Sequence, residues 1–139
     1  INQYFFFFFF ARHRGLESLN DSLYKQSIAE MKWSDELIAR ILLLDGLPNL
    51  QELGKVLVGE DVPEIIDCNL RLEKQKFDII TDAITLCESK RDYVSRQLLV
   101  SLKDGNEEYQ DWLETQQDLI KDMGVENYIQ SQMDDDKAP

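Results

Sequence analysis

The chain has 139 residues, a formal net charge of -12, 43% hydrophobic residues and 30% charged residues. This length and composition predict one globular domain and exclude a disordered chain. The negative charge argues against nucleic acid and anionic membranes as partners, because both repel an acidic surface. The acidity either attracts cations or only keeps the protein in solution. Six glycines and three prolines leave few helix-breaking positions, which favours an all-α fold.

The first predicted helix covers residues 1 to about 14, with Gly15 as its C-cap. It contains a run of six phenylalanines, residues 5–10, which is far too short to span a bilayer. A helix turns some of these rings towards solvent, because successive side chains point in different directions around its axis. We therefore do not interpret the run as a membrane anchor.

A second helix is predicted over residues 18–44, where apolar residues recur at helical spacing, and an Asp-Gly-Leu-Pro sequence at residues 45–48 ends it. Residues 45–61 form a long connection, in which residues 56–58 are a candidate extended segment. Helices joined by so long a connection need not be antiparallel neighbours. The segment therefore allows a crossover along the length of a helix bundle.

The third and fourth predicted helices each start at an aspartate that can act as an N-cap. Asp61 precedes Pro63, which suits the first turn of a helix, and this helix runs to about residue 90. Asp92 starts a helix that ends near residue 122, just before Gly124. Both segments carry an apolar stripe at helical spacing, as expected for helices that pack in a bundle.

The end of the chain is predicted to hold a short fifth helix, residues 125–133, and an acidic tail, residues 134–139. Cys68 and Cys87 lie in helical pattern without CxxC spacing, so we expect small buried residues in a reducing cytoplasm. Together the elements predict an all-α four-helix bundle with a long crossover between helices two and three and a short C-terminal helix.

Six segments resemble the bacterioferritin family, whose members are iron-storage shells built from four-helix bundles. The segments are residues 1–5 (INQYF), 27–32 (SIAEMK), 44–55 (LDGLPNLQELGK), 92–96 (DYVSR), 111–116 (DWLETQ) and 126–132 (ENYIQSQ). The resemblance covers nearly the whole chain and implies a single ferritin-like domain over residues 1–139, with the start of the family's first helix preceding Ile1. It also implies haem b and iron as cofactors.

The family oxidises Fe²⁺ at a two-iron carboxylate centre inside each bundle, and the resemblance implies the remains of such a centre here. In the family, two helices supply one Glu each and the other two supply a Glu-x-x-His each. The matching positions are Glu30 and Trp33 on the second helix, Glu73 on the third, and Asn106 and Tyr109 on the fourth. The first-helix Glu would precede Ile1, and the only histidine, His13, matches no ligand position.

These replacements leave two of the expected ligands, Glu30 and Glu73. Trp33 has no lone pair for a metal, whereas Tyr109 offers a phenolate oxygen and Asn106 a weak carbonyl oxygen. The resemblance therefore implies a degenerate ferroxidase centre. The surviving Glu30 and Glu73 are either remnant metal ligands or a buried acid pair held by hydrogen bonds.

A methionine on the family's second helix ligates haem from each side of a two-fold axis, and Met31 matches it. The residues that match the family's haem pocket are Ile1, Asn2, Phe5, Tyr24, Ile28 and Lys32. Helical spacing alone favours core packing for Met31, so its role as an axial ligand rests on the resemblance. Tyr4 and Trp112 match aromatics near the iron site, where they take part in electron transfer or only pack in the core.

The sequence leaves three functional hypotheses. The leading one is an iron-storage subunit that binds haem and is impaired in ferroxidation. Its partners would be a homo- or hetero-oligomeric shell of about 24 subunits as about 12 haem-bridged dimers, a ferroxidase-competent subunit and a ferredoxin-type reductant. The second hypothesis is an active ferroxidase with a modified di-iron site. The third is an acidic helical interaction protein without iron chemistry.

Overall fold

The computed structural model describes residues 1–133, which form five α-helices. They are α1 (Asn2–His13), α2 (Glu17–Leu43), α3 (Val62–Ser89), α4 (Tyr93–Met123) and α5 (Val125–Ser131). Helix α1 packs along α2, and α3 packs along α4, while the connection between α2 and α3 crosses from one pair to the other. The predicted all-α four-helix bundle, with a long crossover and a short fifth helix, is confirmed.

Capping side chains set where α3 and α4 begin, as predicted. The carboxylate of Asp61 accepts the N–H of Glu64 at 2.9 Å, and that of Asp92 accepts the N–H of Ser95 at 3.0 Å. Arg40 near the end of α2 donates to the same Asp92 at 2.9 Å. Asp92 therefore starts α4 and also ties it to α2.

The crossover contains residues 56–58, the candidate extended segment. Residues 56–58 form no strand. Instead, the N–H of Leu57 donates to the side-chain oxygen of Gln3 at 3.1 Å, so α1 supplies the hydrogen bond that a partner strand would have supplied. The nitrogen of the same Gln3 side-chain amide, Nε2, donates to Oδ1 of Asn69 on α3 at 2.9 Å, which fixes the crossover against the bundle.

The core combines apolar side chains from all five helices. Its buried members are Tyr4, Phe7, Ala11, Leu16, Leu19, Leu23, Val62, Ile65, Ile66, Leu70, Tyr109, Leu113 and Tyr128. The phenylalanine run follows helical periodicity, since Phe7 is fully buried whereas Phe6 and Phe9 are 44% and 57% exposed. Cys68 and Cys87 are free thiols and are half-buried, so the prediction that they are buried was wrong.

No helix within residues 1–133 combines the length and the apolar character needed to cross a membrane.

Helix α5 folds back onto the end of the bundle. Gly124 makes the turn with a φ of +82°, a conformation that favours glycine. Tyr128 of α5 is fully buried, and its hydroxyl donates to Gln116 at 2.7 Å. The helix ends at Ser131, two residues earlier than predicted. The predicted acidic tail, residues 134–139, lies outside the described residues.

This docking makes the stability of the fold sensitive to alkaline pH. Burial raises the pKa of Tyr128 from 10.0 to about 12. The stabilisation from the neutral phenol is therefore complete below pH 10 and is lost as the pH rises through about 12, because the unfolded chain releases its proton first. We expect the urea midpoint to fall further between pH 9 and pH 11 in the wild type than in Tyr128→Phe. Equal losses in the two proteins would contradict this assignment.

Candidate functional site

Four helices each contribute to one polar cluster in the interior of the bundle. We define the carboxylate cluster as Tyr4 of α1, Glu30 of α2, Glu73 and Lys76 of α3, and Asn106 of α4. Glu73 and Lys76 share a face of α3 because they are three residues apart. The bundle thus brings Glu30, Glu73 and Asn106 together, as expected, and adds a lysine that the sequence analysis did not select.

The ammonium group of Lys76 lies between the two carboxylates. Its Nζ is 2.5 Å from Oε1 of Glu30, and 3.0 Å and 3.2 Å from the two oxygens of Glu73. The three side chains are poorly accessible, with exposed fractions of 25% for Lys76, 15% for Glu30 and 0% for Glu73. Ion pairs so shielded from solvent interact strongly, and leaving one member unpaired is costly.

Both oxygens of Glu73 are fully engaged by donors. The Tyr4 hydroxyl and Lys76 donate to Oε1, while Lys76 and the Asn106 side chain donate to Oε2, the Asn106 bond being 2.5 Å long. An ionised carboxylate offers about four acceptor positions, so these donors use all of them. The cluster is therefore satisfied by the protein's own hydrogen-bond donors.

Asn106 presents the donor side of its amide to the cluster. Its Nδ2 also donates to the backbone oxygen of Glu73 at 2.9 Å, and its Oδ1 accepts a bond from Gln110 at 2.7 Å. Two acceptors on one side and a donor on the other fix this orientation. The carbonyl oxygen that would ligate a metal is consequently turned towards Gln110 and away from the carboxylates.

Three aromatic rings form a row beside the cluster. Tyr4 meets Tyr109 edge to face with ring centroids 5.6 Å apart, and Tyr109 stacks on Trp112 at 5.5 Å. Burial, followed by the negative charges of Glu73 and Glu30, holds the pKa of Tyr109 well above its usual value. Burial and the Glu73 charge do the same to the pKa of Tyr4. These effects favour the neutral phenol of Tyr109.

A cavity of about 440 Å³ between α2 and α4 leads to the carboxylate cluster. Its walls include the indole rings of Trp33 and Trp112, and Glu30 and Lys76 also line it. A smaller cavity of about 250 Å³ adjoins the same Glu30 and Lys76 and also includes Trp33. The ion pair therefore lies between two spaces that small ions and water can enter.

The side chains present do not fit a two-iron centre. Within residues 1–133, no three or more His, Cys, Asp or Glu side chains come close enough together to hold a metal ion. Trp33 lines the cavity but offers no lone pair. His13 is exposed at the last residue of α1. The predicted ligand positions converge in space, but the ammonium group of Lys76 contacts the two carboxylates and too few further ligands surround them.

The predicted haem residues belong to α1 and α2, and one of them, Ile1, also lines the smaller cavity beside Glu30 and Lys76. Met31, Phe5 and Ile28 are half-buried, and the remaining members are exposed, namely Ile1, Asn2, Tyr24 and Lys32. The ring of Tyr24 packs against Phe8 of α1 with centroids 5.1 Å apart. A thioether can ligate haem iron, and a haem shared across a two-fold axis would need only one such ligand from each chain.

Lys76 is the residue of the site that the sequence analysis missed. The only signal was its spacing from Glu73, since a Glu and a Lys three residues apart lie on one helical face. Such pairs are common on solvent-exposed faces, where they contribute little. The spacing alone therefore did not indicate that Lys76 would lie in the interior and contact Glu30.

The ferritin family model, described as a ferritin-like domain, matches residues 1–123. A bacterial ferritin of Pseudomonas aeruginosa is 38% identical over 120 residues, which are 86% of this chain and 77% of that protein. A bacterial ferritin of Synechocystis is 36% identical over 133 residues, with 95% and 85% covered. A bacterioferritin of Mycobacterium tuberculosis is 35% identical over 128 residues, with 92% and 80% covered.

Proposed function

Because the chain belongs to the ferritin-like family, we propose that it is an iron-storage subunit of a bacterioferritin-like shell that does not itself oxidise Fe²⁺ rapidly. The position of Lys76 supports the claim that the subunit does not oxidise Fe²⁺ rapidly. Its ammonium lies 2.5 Å from Glu30 and 3.0 Å from Glu73. Iron would need these same carboxylate oxygens, since hard cations prefer oxygen ligands.

In this proposal the chain contributes the wall of the shell and a haem site. Met31 from each of two subunits would hold haem b across a two-fold axis, and Tyr24, Ile28 and Lys32 would line its pocket. Haem supplies electron transfer when it is bound, which suits reduction and release of stored Fe³⁺. A ferredoxin-type protein is the proposed reductant.

The aromatic row has a place in the same proposal. Tyr4 and Trp112, the two residues suggested for electron transfer, are separated by Tyr109 at centroid distances of 5.6 Å and 5.5 Å. The row is therefore continuous from the carboxylate cluster to the cavity between α2 and α4. Packing of a buried core accounts for the same rings, so electron transfer through them is the lesser part of the proposal.

Fast oxidation of Fe²⁺ would come from a different subunit in a mixed shell. The proposed assembly has about 24 subunits in about 12 haem-bridged dimers, and it includes ferroxidase-competent subunits. The present chain would supply acidic surface, since its formal net charge is -12, and this charge favours accumulation of cations.

Stopped-flow oxidation of Fe²⁺ by the homogeneous protein tests the proposal. We expect no fast phase, and the rate should equal that of the Glu73→Ala variant in the same aerobic buffer. A rapid, stoichiometric phase in the wild type that disappears in Glu73→Ala would instead establish the active-ferroxidase alternative. Shells that take up neither iron mineral nor haem would favour the acidic interaction protein.

A further inference from the structure

We propose that the ammonium group of Lys76 takes the place of a divalent cation in the carboxylate cluster, so that shortening this one side chain creates a metal site at Glu30 and Glu73. The claim concerns metal binding and not iron oxidation. It shares its observation, the Lys76 ion pairs, with the proposed lack of rapid oxidation, and it is tested by a separate measurement.

The geometry makes the ammonium and a metal ion mutually exclusive. Lys76 Nζ lies 2.5 Å, 3.0 Å and 3.2 Å from three oxygens of Glu30 and Glu73. A transition-metal ion bound to the same oxygens would sit about 2.0–2.2 Å from them, in nearly the same position. Two cations cannot share that space, because their repulsion is strong where solvent is largely excluded.

The charges explain why the cluster needs a cation at all. Glu73 is fully buried and Glu30 is 15% exposed, so two ionised carboxylates would face each other with little water between them. Tyr4 and Asn106 supply only neutral hydrogen-bond donors. Lys76 is the one positive group that contacts both carboxylates among the described ion pairs. Lys76 therefore balances the negative charge of the two carboxylates, as a bound metal ion would.

Access does not explain the exclusion of metal. Glu30 and Lys76 line both the cavity of about 440 Å³ and the one of about 250 Å³, and the Lys76 side chain is 25% exposed. A metal ion and its waters can therefore reach Glu30 and the Lys76 ammonium from either side. Without the ammonium, Glu30, Glu73 and these waters would form an oxygen-rich site, which suits Mn²⁺, Fe²⁺, Co²⁺ or Zn²⁺.

Calorimetric titration of the intact protein with Zn²⁺ at neutral pH tests this inference. Lys76→Ala should bind Zn²⁺ at least about tenfold more tightly than the wild type, because a competing charge in a shielded site has been removed. The matched control is Lys74→Ala, whose side chain is exposed on the same helix and should leave binding unchanged. Adding Glu73→Ala to Lys76→Ala should abolish the gain in Zn²⁺ affinity.

Circular dichroism shows whether each variant keeps its helices, and Lys76→Gln retains more of the side chain if the alanine variant does not fold. Zn²⁺ should raise the Tm of the lysine variants and not that of the wild type. Equal Zn²⁺ affinity in the wild type and a folded Lys76 variant would overturn the inference, whether both bind or neither does. Neither outcome would alter the stopped-flow result that tests the storage function.

Discussion

Replacing Lys76 by methionine should lower the free energy of unfolding by about 3 kcal/mol, the low end of the cost of breaking a buried ion pair. Methionine keeps the length of the side chain but removes the charge, so Glu30 and Glu73 lose the cation that both contact. Lys76 and Glu30 are partly exposed, so water screens part of the repulsion between the carboxylates. The loss of unfolding free energy is therefore expected at the low end of the range.

Urea midpoints at a fixed protein concentration measure this effect. Lys74→Met, an exposed change on the same helix, should shift stability by no more than about 0.5 kcal/mol. The double variant Lys76→Met with Glu30→Gln should be more stable than Lys76→Met alone, because it removes one of the two facing charges. A Lys76→Met protein as stable as the wild type would show that the ammonium is not the counter-ion of the cluster.

Replacing Met31 by leucine should remove nearly all haem from the assembled protein. Leucine matches the size of methionine but has no lone pair for haem iron. The wild type should carry about one haem for every two subunits, since a two-fold axis supplies the second ligand. The Soret absorbance per subunit measures the loss, and the helix content and the assembly size should be unchanged.

Met123→Leu is the control for this experiment, because Met123 is 36% exposed at the last residue of α4. It should retain the full haem content. If Met31→Leu binds as much haem as the wild type, the axial ligand is a different residue. In that case the haem part of the proposed function would lose its support.

The helices were predictable because their ends depend on local signals. Asp61 and Asp92 cap α3 and α4 through bonds to backbone N–H groups three residues further on, which is a short-range pattern. The hydrogen bond of the Leu57 N–H was not predictable, because its acceptor is Gln3, far away in the sequence. Long-range contacts of this kind follow from the packed fold and leave no periodic trace.

The site was predictable only in part for a related reason. Family resemblance pointed to Glu30, Glu73, Asn106 and Tyr109, and the structure places these residues around one interior cluster. It did not point to Lys76, whose position in α3 has no counterpart among the family's ligands. Nor did it show that Asn106 would present its donor side to Glu73, because this orientation depends on Gln110 as well.

The central claim is that Lys76 occupies the position of the metal, and X-ray anomalous scattering tests it most directly. Crystals of the wild-type protein soaked in excess Zn²⁺ should show no anomalous peak between Glu30 and Glu73, with Lys76 Nζ remaining in contact with both carboxylates. An anomalous peak bridging the two carboxylates, with the lysine side chain displaced into the cavity between α2 and α4, would contradict the claim.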